Sequence, residues 1–364
     1  MKVTIRGDFG MMAKADADGR GDHMRPGLLR VRMPWTNAGP VAVLAACVVA
    51  LAACGGGYMP PQAFQLERNT QFDGEKLRFF TTLDDGTEVS VNTTDDVYQT
   101  LPGVTPMPGH EARAWTFLKV EGGDTAIAHA LLSANPDDPT DYLVFGWWAY
   151  FPGQTPPVSF EGEQRFALID GPELDHGFVP ELPVDGSATY MGQAGGLYRY
   201  VRAVDEAEDI YEFVIDEYQG TINLTADFAD GTLKGCIGCV GDLVTQRAHF
   251  GVILGEELID PGAAAKDYEL HLATAIIRDD GMFVREKVIL KHPERTITLS
   301  EGYWAGAFSS RQDSEGDPRL VAGFNYVDFK ESDGSFGEFY GSFLGLSEPF
   351  RQTGVSGPLP EDGE

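Results

Sequence analysis

Apolar and polar residues alternate along most of the second half of this chain. In the stretch 221–228, Ile222, Leu224, Ala226 and Phe228 fall on one side, and Asn223, Thr225 and Asp227 on the other. A period of two predicts strands with one buried face. The stretch 269–277 places Leu270, Leu272 and Ile276 together. In 302–308 one face reads Gly302, Trp304, Gly306, Phe308, and in 336–343 it reads Gly337, Phe339, Gly341, Phe343. Glycine alternating with an aromatic on one face is how a small barrel fills a tapering interior. Strand patterns at 190–200, 210–215, 221–228, 243–254, 269–277, 302–308, 320–330 and 336–345 predict about eight strands, and antiparallel closure removes both sheet edges.

The first half predicts a different sheet. Residues 76–83 and 87–91 flank the turn residues Asp84, Asp85 and Gly86, and three longer runs follow at 112–120, 126–132 and 142–151. They read as an antiparallel meander punctuated by Gly122, Gly123 and Asp124 and by the loop from Asn135 to Asp141. Trp115, Trp147, Trp148 and Tyr150 lie on its strands, where core packing is the expected role and a ligand-facing role for Trp147 and Trp148 is the alternative. Pro172, Pro180 and Pro183 then mark an extended connector. The predicted fold class is therefore all-β. A sheet-rich domain over residues 64–180 precedes an eight-stranded antiparallel barrel over residues 186–346, and residues 347–364 read as a flexible tail.

A third pattern lies upstream. Arg25, Arg30 and Arg32 precede an unbroken apolar run at residues 41–53, which ends in Leu51, Ala52, Ala53 and Cys54 and is followed by three glycines. A basic region, a short apolar region and small residues at the cleavage point describe an export signal. The run is too short for a membrane-spanning helix, which takes roughly 18 apolar residues or more. The ending resembles the lipobox of bacterial lipoproteins, which implies cleavage before Cys54, acylation of its sulfur with palmitate-like chains, and Cys54 as the first mature residue. Cys47 ends a second such match, but cleavage there leaves too short an apolar region. Residues 1–53 are thus expected to be removed, with 1–23 read as an extension ahead of a start at Met24, and residues 54–63 form a flexible tether.

The chain carries 56 acidic against 27 basic side chains, a net charge of −29. Such a surface repels nucleic acid and anionic lipid heads, and favours solubility and a basic partner. At 43% hydrophobic residues the chain has ample apolar area to bury.

Three stretches of the barrel region carry a family resemblance. Gly186, Ala188, Tyr190 and Gly192 form Gly-x-Ala-x-Tyr-x-Gly. Ala226, Asp227, Phe228, Gly231 and Thr232 form an Ala-Asp-Phe-x-x-Gly-Thr hairpin, and Gly341 with Phe343 supplies a late Gly-x-Phe. In this order and spacing they resemble the C-terminal barrel of transferrin-binding-protein-B-like surface lipoproteins, in which a sheet-rich handle precedes each eight-stranded barrel. The resemblance implies a lipid-anchored, non-enzymatic binding protein of the outer membrane, connected with iron or with capture of a host or partner protein. The chain departs from the family in having length for one handle-and-barrel lobe instead of two. The family's Gly-x-Phe-Phe-Gly stands here as Gly306, Ala307, Phe308, Ser309, Ser310. No binding residue carries over.

Chemistry is sparse. Cys236 and Cys239 form Cys-x-x-Cys, but no helical pattern follows to stabilise a thiolate. Residues three apart in a straight strand lie about 10 Å apart, so a disulfide needs a kink at Gly238. A structural disulfide is the favoured reading, with free thiols or redox catalysis as alternatives. No histidine stands near the pair in sequence, so no zinc site is expected. Asp137, Asp138 and Asp141 loosely resemble a calcium loop, but turn chemistry accounts for them. His129 and His271 read as satisfied or solvated strand histidines. No catalytic residue, metal or cofactor is expected; the expected partner is a protein or small ligand, and the membrane is met only through the anchor. A lipocalin-like periplasmic carrier, an envelope enzyme built on the first domain, and a structural envelope lipoprotein are the alternatives.

Overall fold

The computed structural model describes residues 5–6 and 70–354, apart from 83–85, 87, 93–96, 100–106, 156–163, 175–179, 206–209 and 247–264. Two antiparallel sheets come first. Strands β1 (Thr70–Phe72), β2 (Leu77–Thr82) and β3 (Glu88–Asn92) form a three-stranded sheet. Strands β4 (Val97–Gln99), β5 (Glu111–Glu121), β6 (Asp124–Asn135), β7 (Asp138–Phe151) and β8 (Gln164–Asp170) form a five-stranded meander. The β5–β6 turn relies on Gly122 and Gly123, both at positive φ (65° and 97°), as a tight two-residue hairpin requires.

The barrel follows. Its strands are β9 (Ser187–Asp205), β10 (Ile210–Asp227), β11 (Thr232–Ile237), β13 (Glu269–Ile277), β14 (Met282–Arg285) with β15 (Val288–Lys291), β16 (Ile297–Phe308), β17 (Leu320–Glu331) and β18 (Phe336–Ser347). The order β10–β9–β18–β17–β16–β14–β13–β11 returns to β10, closing an eight-stranded antiparallel ring in which β14 and β15 are two halves of one stave. β12 (Val244–Gln246) pairs with β10 outside the ring.

The number of staves matches the expectation, but their membership differs. The patterns at 210–215 and 221–228 are one continuous strand, β10. Asp216 and Glu217 look like turn residues in the sequence, yet they are 0% and 6% exposed. Their place in the count is taken by β11, with few apolar residues to betray it, and by β14–β15, whose pattern is broken at Arg285, Glu286 and Lys287. The stretch predicted as a strand at 243–254 contributes only β12 among the described residues. Ile276 is also corrected. The β11–β13 register slips between Leu233 and Gly235, so the residues of β13 beyond the slip change face. Ala275 and Ile277 point inward beyond Leu270 and Leu272, and Ile276 is 65% exposed.

The interior is filled. Tyr190, Tyr198, Tyr218, Trp304, Phe339 and Phe343 are all fully or almost fully buried. The Phe339 ring centroid lies 4.6 Å from that of Tyr198, 5.2 Å from Tyr218 and 5.5 Å from Tyr268. The inward glycines make room for these rings. A Cβ on Gly341 would stand 2.5 Å from the Tyr218 hydroxyl, and one on Gly306 would stand 2.6 Å from Phe283 Cζ. At one end of the interior, Glu331 accepts hydrogen bonds from the hydroxyls of Tyr200 and Tyr268, and Arg295 lies over both rings.

The meander lies against the outer wall of the barrel. Leu143, Phe145 and Ile169 pack on Ala305, Ala307, Ala322, Phe324 and Leu344, while Ile127, Trp147, Ala149 and Phe151 meet Leu197 and Tyr340. The alanines keep the wall flat enough for a second layer. Residues of the opposite parity (Ala126, Ala128, Ala130, Trp148, Leu168) cover Leu77 and Phe79 of the three-stranded sheet. Three layers result, and residues 70–354 belong to one compact unit.

The connector and the end of the chain differ from their sequence readings. Pro172–Leu174 forms a 3-10 turn that buries Glu173 and Leu174. Residues 348–353, read as part of a flexible tail, form a short helix α1 (Glu348–Thr353) instead. Ser347 caps its N-terminus and Gly354, at φ 66°, its C-terminus, the arrangement that satisfies a helix's end groups. Phe350 anchors it in the sheet–wall core.

Candidate functional site

A crevice lies where the meander meets the barrel wall. Its lining includes His129, Phe145 and Trp147 from the meander and Gln193, Glu217 and Ser342 from the wall, around a cavity of about 50 Å³. β6 carries His129 toward the wall, and His129 Nδ1 stands 2.9 Å from Glu217 Oε1. Burial works against charge on the imidazole, but the Glu217 carboxylate and its hydrogen bond prevail and raise His129 above its usual value. Glu217 Oε2 and Ser342 Oγ are buried with no hydrogen-bond partner among the described residues. At roughly 10–15 Å³ of such space per water molecule, the cavity suits a few waters. Organic ligands occupy cavities of about 300 Å³ or more. Trp147 is walled in here and Trp148 stacks on Phe166 at 4.5 Å, so both are packing residues.

The raised His129 gives a pH signature. A group whose folded pKa lies above its unfolded value contributes stability in full below the unfolded value, and loses that contribution as pH rises through the folded one. With an unperturbed histidine near 6.5, the contribution fades above about pH 6.5. A His129→Gln variant is expected to be clearly less stable than the parent at mildly acidic pH, with the gap narrowing toward alkaline pH. Denaturant unfolding over a pH series reads it, and a gap that stays constant would refute the assignment.

A second cluster joins the connector, the meander and the barrel. Arg319 donates from Nε and Nη2 to the two carboxylate oxygens of Glu173, at 2.7 and 2.8 Å. Ser309 Oγ also donates to Glu173. Asp141 takes Arg311 at 2.8 Å and His110 at 3.4 Å. The His110 hydrogen bond, with help from Arg311 and Arg319, outweighs burial and holds Asp141 well below the usual carboxylate range. Asp138 meanwhile accepts from the Thr140 amide and hydroxyl. The acidic loop is thus engaged in turn formation and ion pairing.

The third cluster is the Cys-x-x-Cys segment. Cys236 and Cys239 are joined as a disulfide with Cα atoms 5.8 Å apart, within the span such a bond requires. Gly238, at φ 82°, turns the chain between them. Cys236 lies directly across from His271 in the β11–β13 register. His271 Nε2 stands 3.8 Å from Cys239 Sγ and 2.8 Å from Glu269 Oε2. The sequence reading missed this histidine because more than thirty residues separate it from the cysteines. Cys54, the expected lipidation site, lies outside the described residues.

These geometries present no nucleophile–base–orienter constellation among the described residues. No protein-family model matches the chain, and neither does any curated protein.

Proposed function

We propose that this chain is a non-enzymatic, lipid-anchored binding protein of the outer membrane, of the transferrin-binding-protein-B-like type, with one handle-and-barrel lobe. The single observation that carries the reading is the aromatic-filled barrel with a sheet layer packed on its wall. Such a barrel has no lumen for a ligand, so recognition belongs on outer loops and sheet edges. The outward positions of β11, β13 and β15 include Lys234, Glu269, His271 and Lys291. They suit contact with water, whereas a membrane-spanning barrel is apolar outside. With a net charge of −29, the partner expected is a protein with a basic face, held through contacts that weaken with salt; iron or host-protein capture is the setting the family resemblance supplies. The carrier alternative would need a large apolar cavity that the packed interior does not provide.

Pull-down with the acylated protein from host fluids and envelope extracts, at low and high salt, tests this function. The expected result is a salt-sensitive protein partner, together with intact mass showing acyl groups on Cys54. Recovery of no protein, with stoichiometric uptake of a small apolar probe, would favour the carrier instead.

A further inference from the structure

We propose that Cys236, Cys239 and His271 form a second, redox-gated site that takes one thiophilic divalent ion, Zn²⁺ being the natural occupant, once the disulfide is reduced. The proposal is independent of the binding function above. Three donor atoms suited to such an ion meet on the outer face of the barrel: two sulfurs and one imidazole nitrogen, all within 4.8 Å of one another. In a tetrahedral zinc site, bonds of about 2.3 Å to sulfur and 2.0–2.1 Å to nitrogen put donor atoms roughly 3.3–3.8 Å apart. His271 Nε2 already stands 3.8 Å from Cys239 Sγ. Cys236 and His271 are held opposite each other by strand register, and Gly238 supplies the turn that brings Cys239 back toward them. The Gly238 N–H donates to the Thr221 carbonyl at 3.0 Å, so the turn has a backbone hold besides the sulfur–sulfur bond.

Glu269 is the candidate for the fourth position. Glu269 Oε2 lies 2.8 Å from His271 Nε2, adjacent to the nitrogen that would bind the ion, and it can turn onto the metal or leave that position to water. Thiolates select Zn²⁺ and similar ions over the hard Ca²⁺ and Mg²⁺. Cys239 is exposed, so a partner reaches the site without opening the barrel.

The gate is thiol–disulfide exchange with a dithiol reductant. One thiolate of the reductant attacks a sulfur of the Cys236–Cys239 bond and forms a mixed disulfide. Its second thiol then displaces the protein sulfur. The reductant leaves as its own disulfide, having supplied two electrons and two protons, and both cysteines are thiols. Binding of the divalent ion releases the two thiol protons to solvent.

Titration of the full chain with Co²⁺, before and after reduction by a metal-free phosphine, tests the proposal. The expected result is one Co²⁺ per reduced chain, with the intense visible bands of a tetrahedral thiolate site, displaced by one equivalent of Zn²⁺. The oxidised chain should show no such bands. In reduced His271→Ala the tetrahedral bands should be lost or shifted and Zn²⁺ should bind more weakly, and in Cys239→Ser the thiolate bands should fall sharply. Unfolding curves for each variant check that the barrel persists. Should a variant fail to fold, the comparison of oxidised with reduced parent decides alone. The proposal is overturned if reduction adds no metal binding, or if folded His271→Ala binds Co²⁺ with unchanged affinity and spectrum.

Discussion

Replacing Arg319 by alanine is expected to destabilise the chain by about 3–5 kcal/mol, the usual consequence of leaving one partner of a buried ion pair uncompensated. Glu173 would lose its guanidinium partner in a site where both side chains are almost wholly buried. Among the described residues it would retain the Ser309 hydroxyl as its side-chain donor. The guanidinium also covers the Phe350 ring, 4.7 Å from its centroid, so packing on α1 is lost as well. A double replacement, Arg319→Met with Glu173→Met, separates charge from packing. Removing both charges should recover much of the loss, because matched apolar side chains avoid the desolvation penalty. Denaturant midpoints at constant slope measure this. A loss below about 1 kcal/mol for Arg319→Ala would mean that water reaches the pair.

The Phe339→Ala variant should be as severe, again about 3–5 kcal/mol, for a different reason. Removing a large buried side chain forfeits its transfer energy and leaves a cavity that the surroundings fill only partly. Phe339 is the hub of the interior: Tyr198, Tyr218, Tyr268 and Phe329 all lie within 6 Å of its ring centre. Tyr198, Tyr218 and Phe329 sit on three different staves and Tyr268 immediately precedes a fourth, β13, so none can close the gap without moving its backbone. Calorimetry or chemical unfolding reads the loss, and a change of less than about 1.5 kcal/mol would show that the interior repacks as it does for a volume-conserving swap.

The barrel was legible where one face of a strand is apolar without interruption. Ile222, Leu224, Ala226 and Phe228 announce β10, and the glycine–aromatic rows announce β16 and β18, because a filled barrel imposes a period of two on its inner face. What escaped did so for physical reasons. β11 offers only Leu233 and Ile237 as large inward residues, with Gly235 between them to admit Leu224. A bulge is a property of pairing, invisible to either strand alone, and it reversed Ile276. Buried acids look like turn residues until a partner such as His129 is known. Clusters built from distant segments shared this fate. The kink at Gly238 follows from local geometry, whereas the approach of His271 to Cys239, or of Arg319 to Glu173, depends on strand order and connector path.

The layering of meander on wall has one more implication. A boundary near residue 180 is a boundary of chain tracing, and the apolar seam crosses it. Cutting there would wet Ala305, Ala307, Phe324, Leu344 and Leu346 together, a contiguous oily stripe of the kind that drives self-association. The barrel is therefore not a detachable module. Grafting, duplication or truncation of this architecture has to move the whole lobe, because its two halves are each other's solvent shield.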